Sequence, residues 1–147
     1  MALYFAYGSN MWRHQMAVQR CPGAEFSGVG LLRGWRFLIN ARGVATIVPE
    51  AGAKVWGVVW EITADHERTL DGYEGVPDWY QRQTVGVHLP GRGEVPCLTY
   101  IDRSPDGDEP GPPREGYLEK VLAGAAEHGL PRGYISEISS HANRASH

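Results

Sequence analysis

The clearest pattern in the chain lies between residues 54 and 62, Lys-Val-Trp-Gly-Val-Val-Trp-Glu-Ile. Strand alternation places Val55, Gly57 and Val59 on one face and Trp56, Val58, Trp60 and Ile62 on the other. Both faces are largely apolar, which predicts a central strand covered on both sides. Shorter apolar runs predict further strands at Leu3–Tyr7, Glu25–Leu32, Trp35–Asn40, Ala45–Val48, Trp79–His88 and Glu94–Ile101. Arg33-Gly34 is read as a turn between two of them, and Pro49 as the end of another. Helical spacing predicts a helix from Met11 to about Arg20, stopped by Cys21-Pro22-Gly23. Thr63 caps a second, with Asp65 and Glu67 in its first turn and a break at Gly72. A third begins near Pro113 and carries Tyr117, Leu118, Val121, Leu122 and Ala125 on one face up to Gly129. Pro131 opens a last one to about Ile138. Residues 102–113 read as a mobile loop, and His141–His147 as a frayed tail. Strands outnumber helices without alternating strictly with them, so the pattern predicts an α+β protein with a mixed, strongly curved sheet. Residues 1–138 form one domain in this reading, and residues 139–147 a flexible tail.

Composition narrows the class. A chain of 147 residues with 42 % hydrophobic content suits a single globular domain. The net charge of −3 gives no electrostatic reason to expect nucleic acid or an anionic membrane as a partner. The start, MALYFAYGSN, lacks the basic and long apolar regions of a signal peptide, and no apolar run approaches a membrane span. Cys21 and Cys97 are too few for a disulfide framework and lack metal-ligand spacing, although a bridge between them stays open. A soluble, cytoplasmic protein of a reducing compartment is the expectation. His14, His66, His88 and His128 are scattered without ligand spacing and read as surface residues.

Candidate chemistry begins at Phe5-Ala6-Tyr7-Gly8-Ser9-Asn10-Met11. A short strand, a glycine turn and a helix start follow each other there. Gly8 can take backbone angles closed to other residues, and Ser9 or Asn10 can cap the helix. Unpaired N–H groups at a positive dipole end make a small anion site from backbone alone. An ordinary strand-to-helix turn is the alternative. Gly28-Val29-Gly30 with Gly34 invites a dinucleotide-binding reading, but the spacing is G-x-G-x-x-x-G and strand follows it instead of helix.

Four motifs occur in order: Phe-x-Tyr-Gly-Ser-Asn, Trp56-Gly57-Val58-Val59-Trp60, Leu70-Asp71-Gly72-Tyr73-Glu74-Gly75-Val76 and Gly129-Leu130-Pro131. Together they resemble the γ-glutamylcyclotransferase-like family, which includes the AIG2-like proteins, over residues 3 to 138. The resemblance implies a small barrel-like sheet flanked by helices. It also implies an enzyme that releases an amine or amino acid from a γ-glutamyl compound and leaves 5-oxoproline.

That reaction has definite needs. The substrate's α-amine must attack its own γ-carbonyl, so the enzyme holds a near-attack conformer. A base must take a proton from the ammonium and can return one to the leaving nitrogen. The tetrahedral oxygen needs N–H donors. Neither metal nor organic cofactor is required. Glu74 fits the base: it follows a helix break, lies beside Tyr73 and Val76, and precedes a flexible Gly75. The resemblance points to the same glutamate; an exposed loop residue is the alternative. Glu61, in the buried strand, is the rival, expected to point away or pair with an arginine. Asp71 reads as a turn or cap residue. Tyr7, Gly8, Ser9, Asn10 and Met11 would supply backbone donors to the substrate. The resemblance adds Tyr80, Tyr100 and Tyr117 as pocket tyrosines. Which γ-glutamyl compound is used stays open, as does a homodimer. The rivals are a γ-glutamylamine or biosynthetic deprotecting cyclotransferase, and a binding protein on the same fold without turnover.

Overall fold

The computed structural model of the chain describes residues 2–142. Five strands form a closed barrel in the order β1 (Ala2–Ala6), β3 (Ala45–Ile62), β2 (Glu25–Ile39), β4 (Tyr80–Leu89) and β5 (Gly93–Asp102). Neighbours are antiparallel, except that β1 closes the barrel parallel to β5. The sheet is thus mixed and strongly curved, as the pattern predicts. β3 lies between β1 and β2, and Val55, Val58, Val59, Trp60 and Ile62 are buried on its two faces. Burial of these side chains, each worth roughly 1.5–3 kcal/mol of transfer free energy, makes this strand the centre of the core.

The two long strands replace four shorter predicted ones. Gly34, at φ +86°, is a bulge and not a hairpin turn. Arg33 faces Lys54 while Trp35 faces Pro49, so extra residues on β3 are absorbed there and the ladder resumes. Gly28 sits at a second shift, between Phe26/Trp60 and Gly28/Val59. These glycines bend the sheet into a barrel, which is why their spacing resembles a nucleotide loop without being one.

The first helical segment also differs from its prediction. It is a 3₁₀ turn at Ser9–Met11 followed by a π-helix at His14–Arg20. The wide turn is explicit in the Cys21 N–H, which reaches back five residues to Met16 O at 2.8 Å. α1 (Ala64–Glu74) has the expected Thr63 cap, completed by His66 Nδ1, which accepts from the Thr63 N–H at 3.2 Å. It does not break at Gly72. Its end is a Schellman turn at Gly75, φ +64°, where Gly75 N–H reaches Gly72 O at 3.2 Å and Val76 N–H reaches Asp71 O at 3.1 Å. Glu74 is therefore the last residue of a helix, not part of a flexible loop.

α2 (Tyr117–Glu127) begins four residues after Pro113 and buries Leu118, Val121 and Ala125. Gly124 brings it onto the 3₁₀ turn so closely that a Cβ there would stand 2.5 Å from Trp12 N. α3 (Arg132–Ser140) extends beyond the predicted Ile138. His141 is buried against Phe37, with ring centroids 5.3 Å apart, so the predicted fraying does not begin there. Residues 143–147 of the predicted tail lie outside the described residues. His128 is not a surface residue either: its ring stacks on Phe26 at 4.8 Å and meets Trp60 edge-on. No helix among the described residues is long and apolar enough to cross a membrane.

Candidate active site

A cavity of about 40 Å³ lies where the end of β1 meets the 3₁₀ turn, the end of α1 and the start of α2. Tyr7, Gly8, Ser9, Asn10, Glu74, Tyr80, Tyr100 and Tyr117, eight of the nine predicted site residues, line it. They come from five separate elements, and only the closed barrel brings them together. Met11 is apart: its side chain is fully buried in the core, and its N–H is taken by Gly8 O at 3.1 Å. Trp12 N–H is likewise taken by Ser9 O. The first N–H groups of a helical turn have no partner inside it, which leaves those of Ser9 and Asn10 as the donors of this turn, and the Ser9 N–H faces the Tyr117 hydroxyl.

Gly8, at φ −113° and ψ −139°, is not left-handed, and it is short of space. A Cβ there would sit 3.1 Å from the Tyr117 hydroxyl and 3.3 Å from Ala45 Cβ. Nor does Ser9 cap the turn through its side chain. Its hydroxyl accepts from Gln15 Nε2 at 2.7 Å. Asn10 Oδ1 takes the other Gln15 bond at 2.9 Å and one from Arg20 at 3.1 Å, while Asn10 Nδ2 donates to the Tyr4 hydroxyl at 3.1 Å. Trp60 Nε1 holds the Asn10 carbonyl at 2.9 Å. The turn is thus bolted to β1, β3 and the π-helix by side chains.

Three of the tyrosine hydroxyls are fixed by backbone. Tyr80 donates to Ala45 O at 2.7 Å, and Tyr117 accepts from Ala45 N–H at 3.1 Å. Tyr7 donates to the carbonyl of Tyr100. The Tyr100 hydroxyl donates to Asp71 Oδ1 at 2.6 Å, and Asp71 is also paired with Arg82 at 2.9 Å. Asp71 is therefore a buttress for a cavity tyrosine and not a turn residue. Burial raises Tyr4, Tyr7, Tyr80, Tyr100 and Tyr117 above the ordinary tyrosine value, so all five are neutral hydroxyls at physiological pH.

Glu74 is the one carboxylate lining the cavity. Its pKa is pushed up from 4.5 to about 7, chiefly by burial; Arg20 and Arg42 oppose the shift and Asp102 adds to it. Its place at the carbonyl end of α1 disfavours negative charge in the same sense. A carboxyl poised near neutrality can take and return a proton. The rival, Glu61, sits on β3 opposite Leu3, does not line the cavity, and has no arginine partner among the described residues.

Sequence reasoning missed Tyr4, Ala45, Gln15, Arg20 and Arg42. Arg42 is held by Asp102 at 2.7 Å and stacks over Trp79 and Tyr80 at 4.7 and 5.6 Å. Burial alone would raise Asp102, but bonds from Ser104, Arg42 and Asn40 hold it below the ordinary carboxylate value. A larger open groove, about 660 Å³, runs between Arg36, Lys54 and α3 and contains no predicted site residue. Among the described residues, no three His, Cys, Asp or Glu side chains are gathered to hold a metal ion. Cys21 and Cys97 are both free, and burial pushes each thiol up to about 11.

Residues 54–138 match the AIG2-like family. The chain is 32 % identical to a γ-glutamylcyclotransferase of Homo sapiens over 149 aligned positions, covering 94 % of this chain and 77 % of that protein. A γ-glutamylaminecyclotransferase of Bos taurus is 41 % identical over 54 positions, 36 % of this chain and 32 % of the relative. A solved structure described as a γ-glutamyl cyclotransferase superposes with a TM-score of 0.86 at 31 % identity, covering 95 % of this chain and 86 % of its own. The chain belongs to the AIG2-like, γ-glutamylcyclotransferase family.

Proposed function

We propose that this protein converts a γ-glutamyl compound into 5-oxoproline and a free amine or amino acid, with Glu74 as the shared acid and base. The reading rests above all on one observation: a carboxyl with a pKa of about 7 faces a small cavity walled by neutral tyrosines and the Ser9–Asn10 turn. In its ionised form Glu74 takes a proton from the substrate's α-ammonium. The freed amine closes on the γ-carbonyl, and the tetrahedral oxygen meets the N–H groups of Ser9 and Asn10. The protonated Glu74 then gives its proton to the departing nitrogen as the C–N bond breaks, and, ionised again, takes the second proton from the ring nitrogen, which leaves with the amine as its ammonium. One group serves these transfers because its pKa lies near the working pH. The two free, buried cysteines suit a reducing, cytoplasmic setting.

The test is Glu74→Gln, which keeps the shape and removes the proton acceptor. Release of 5-oxoproline from a panel of γ-glutamyl compounds is expected to fall by ~10²-fold or more while the fold persists. Near-normal turnover would remove Glu74 from the chemistry.

A further inference from the structure

Outside Glu74 the cavity gives way to an open hollow of about 520 Å³; Ser9, Glu74, Tyr80 and Tyr117 line both spaces. Four cations converge on this hollow: Arg20 from the end of the π-helix, Arg42 from the β2–β3 connection, Arg114 from the loop before α2, and Lys120 from α2 itself. Glu74 is the only acidic side chain among the residues that line it. The chain as a whole carries a net charge of −3, so this convergence runs against its overall balance.

Among the described residues, Arg42 alone of the four is in a close ion pair, with Asp102, while Arg20 acts on Glu74 from farther away. Arg20, Arg114 and Lys120 form no ion pair among the described residues. Two of these three are nevertheless held in place by neutral groups. Arg20 donates to Asn10 Oδ1 at 3.1 Å and lies 4.3 Å over the Tyr73 ring. Arg114 Nε donates to the Arg42 carbonyl at 2.8 Å. A guanidinium has five donors in a planar fork, so most of each fork remains available to a ligand. Tyr73 and Trp79, 57 % and 50 % exposed, supply flat apolar walls.

Cyclisation needs the γ-glutamyl part beside Glu74 and the Ser9–Asn10 turn, so whatever hangs from the amide nitrogen extends past Glu74 into this hollow. We propose that the hollow is a leaving-group subsite for acidic amino acids, in which Arg114 and Lys120 with Arg20 recognise a departing residue bearing two carboxylates in preference to one or none. The proposal rests on the cyclotransferase reading. One carboxylate can occupy a single guanidinium fork; a second gains the remaining charge. A neutral amine gains nothing from the cations and leaves them solvated. The cations also raise the local concentration of an anionic substrate at the mouth of the site.

The experiment compares kcat/KM for γ-glutamylglutamate, γ-glutamylalanine and γ-glutamylethylamide, followed by 5-oxoproline release, in the wild type and in Arg114→Gln/Lys120→Met. The wild type is expected to rank them in that order, by roughly threefold to tenfold per carboxylate, the range of partly exposed charge-assisted contacts. The double substitution should compress that ranking toward unity by slowing γ-glutamylglutamate far more than the ethylamide. Raising salt from about 0.05 M to about 0.5 M should compress the wild-type ranking in the same direction. An equal or inverted wild-type ranking overturns the proposal. So does an equal loss on all three substrates in a variant with native circular dichroism, since that marks a structural role. If none of the three yields 5-oxoproline in the wild type, the cyclotransferase reading fails and this subsite falls with it.

Discussion

A base tuned by burial should make the folded protein less stable at the pH where it works. The pKa of Glu74 is about 7 in the folded chain against an ordinary value of 4.5. The folded state therefore binds the proton more tightly than the unfolded state. The stability this gives is fully present below the unfolded value and is lost as pH rises through the folded one. The distance from 4.5 to about 7, at about 1.4 kcal/mol per pH unit, sets an upper limit of about 3.5 kcal/mol on the loss by pH 8. Part of it has already gone at pH 5, because the unfolded carboxyl is ionised there. Glu74→Gln is neutral at every pH and escapes this loss. Urea unfolding at pH 5 and pH 8, for both proteins, measures it directly. The gap in stability, variant minus wild type, should rise by about 2 to 3 kcal/mol between the two conditions, and the variant should be the more stable protein at pH 8. Parallel pH curves for the two proteins would refute the burial argument, whatever the activity of the variant.

Two further substitutions probe the turn and the charges around the base. Gly8→Val puts a β-branched side chain where even a Cβ meets the Tyr117 hydroxyl at 3.1 Å. It is expected to stay folded by circular dichroism and to lose ~10²-fold in kcat/KM. Ser9→Ala removes the 2.7 Å bond from Gln15 and the hydroxyl's contact with Tyr117, so it should cost about 1 kcal/mol of stability and keep most activity. A dead Ser9→Ala beside an active Gly8→Val would point to hydroxyl chemistry instead. Arg20→Gln removes one of the two cations that hold Glu74 down, so its pKa should rise above 7 and the acid limb of kcat/KM should move to higher pH. Activity then falls more at pH 6 than at pH 8, measured on γ-glutamylethylamide, whose leaving amine carries no carboxylate; an unmoved limb would contradict that arrangement.

The central strand was legible because both its faces are apolar, a pattern few other elements produce. The continuity of β2 and β3 was not, because a glycine in a bulge and a glycine in a turn look alike in sequence; only the pairing of Arg33 with Lys54 and Trp35 with Pro49 separates them. The π-helix was unreadable for a similar reason, since its apolar spacing over seven residues is close to that of an α-helix. Most of the site could be named because the Tyr-Gly-Ser-Asn and Glu-Gly-Val segments carry it locally. Its supports could not. Arg42 meets Asp102 across 60 residues and Tyr80 meets Ala45 across 35, contacts that exist only once the barrel closes. Simple alternation even sets Tyr4 and Tyr7 on opposite faces of β1. The strand ends at Ala6, which frees Tyr7 to turn into the same cavity as Tyr4.

The central claim is that the substrate's own α-amine breaks its γ-glutamyl bond. The most direct measurement incubates the protein with γ-glutamylalanine and with its Nα-acetyl derivative, and quantifies 5-oxoproline, alanine and glutamate. The account requires one 5-oxoproline per alanine from the free amine, no glutamate, and no reaction at all with the acetylated compound. Release of alanine from the acetylated compound, with N-acetylglutamate as the other product, would make water the nucleophile and contradict the account.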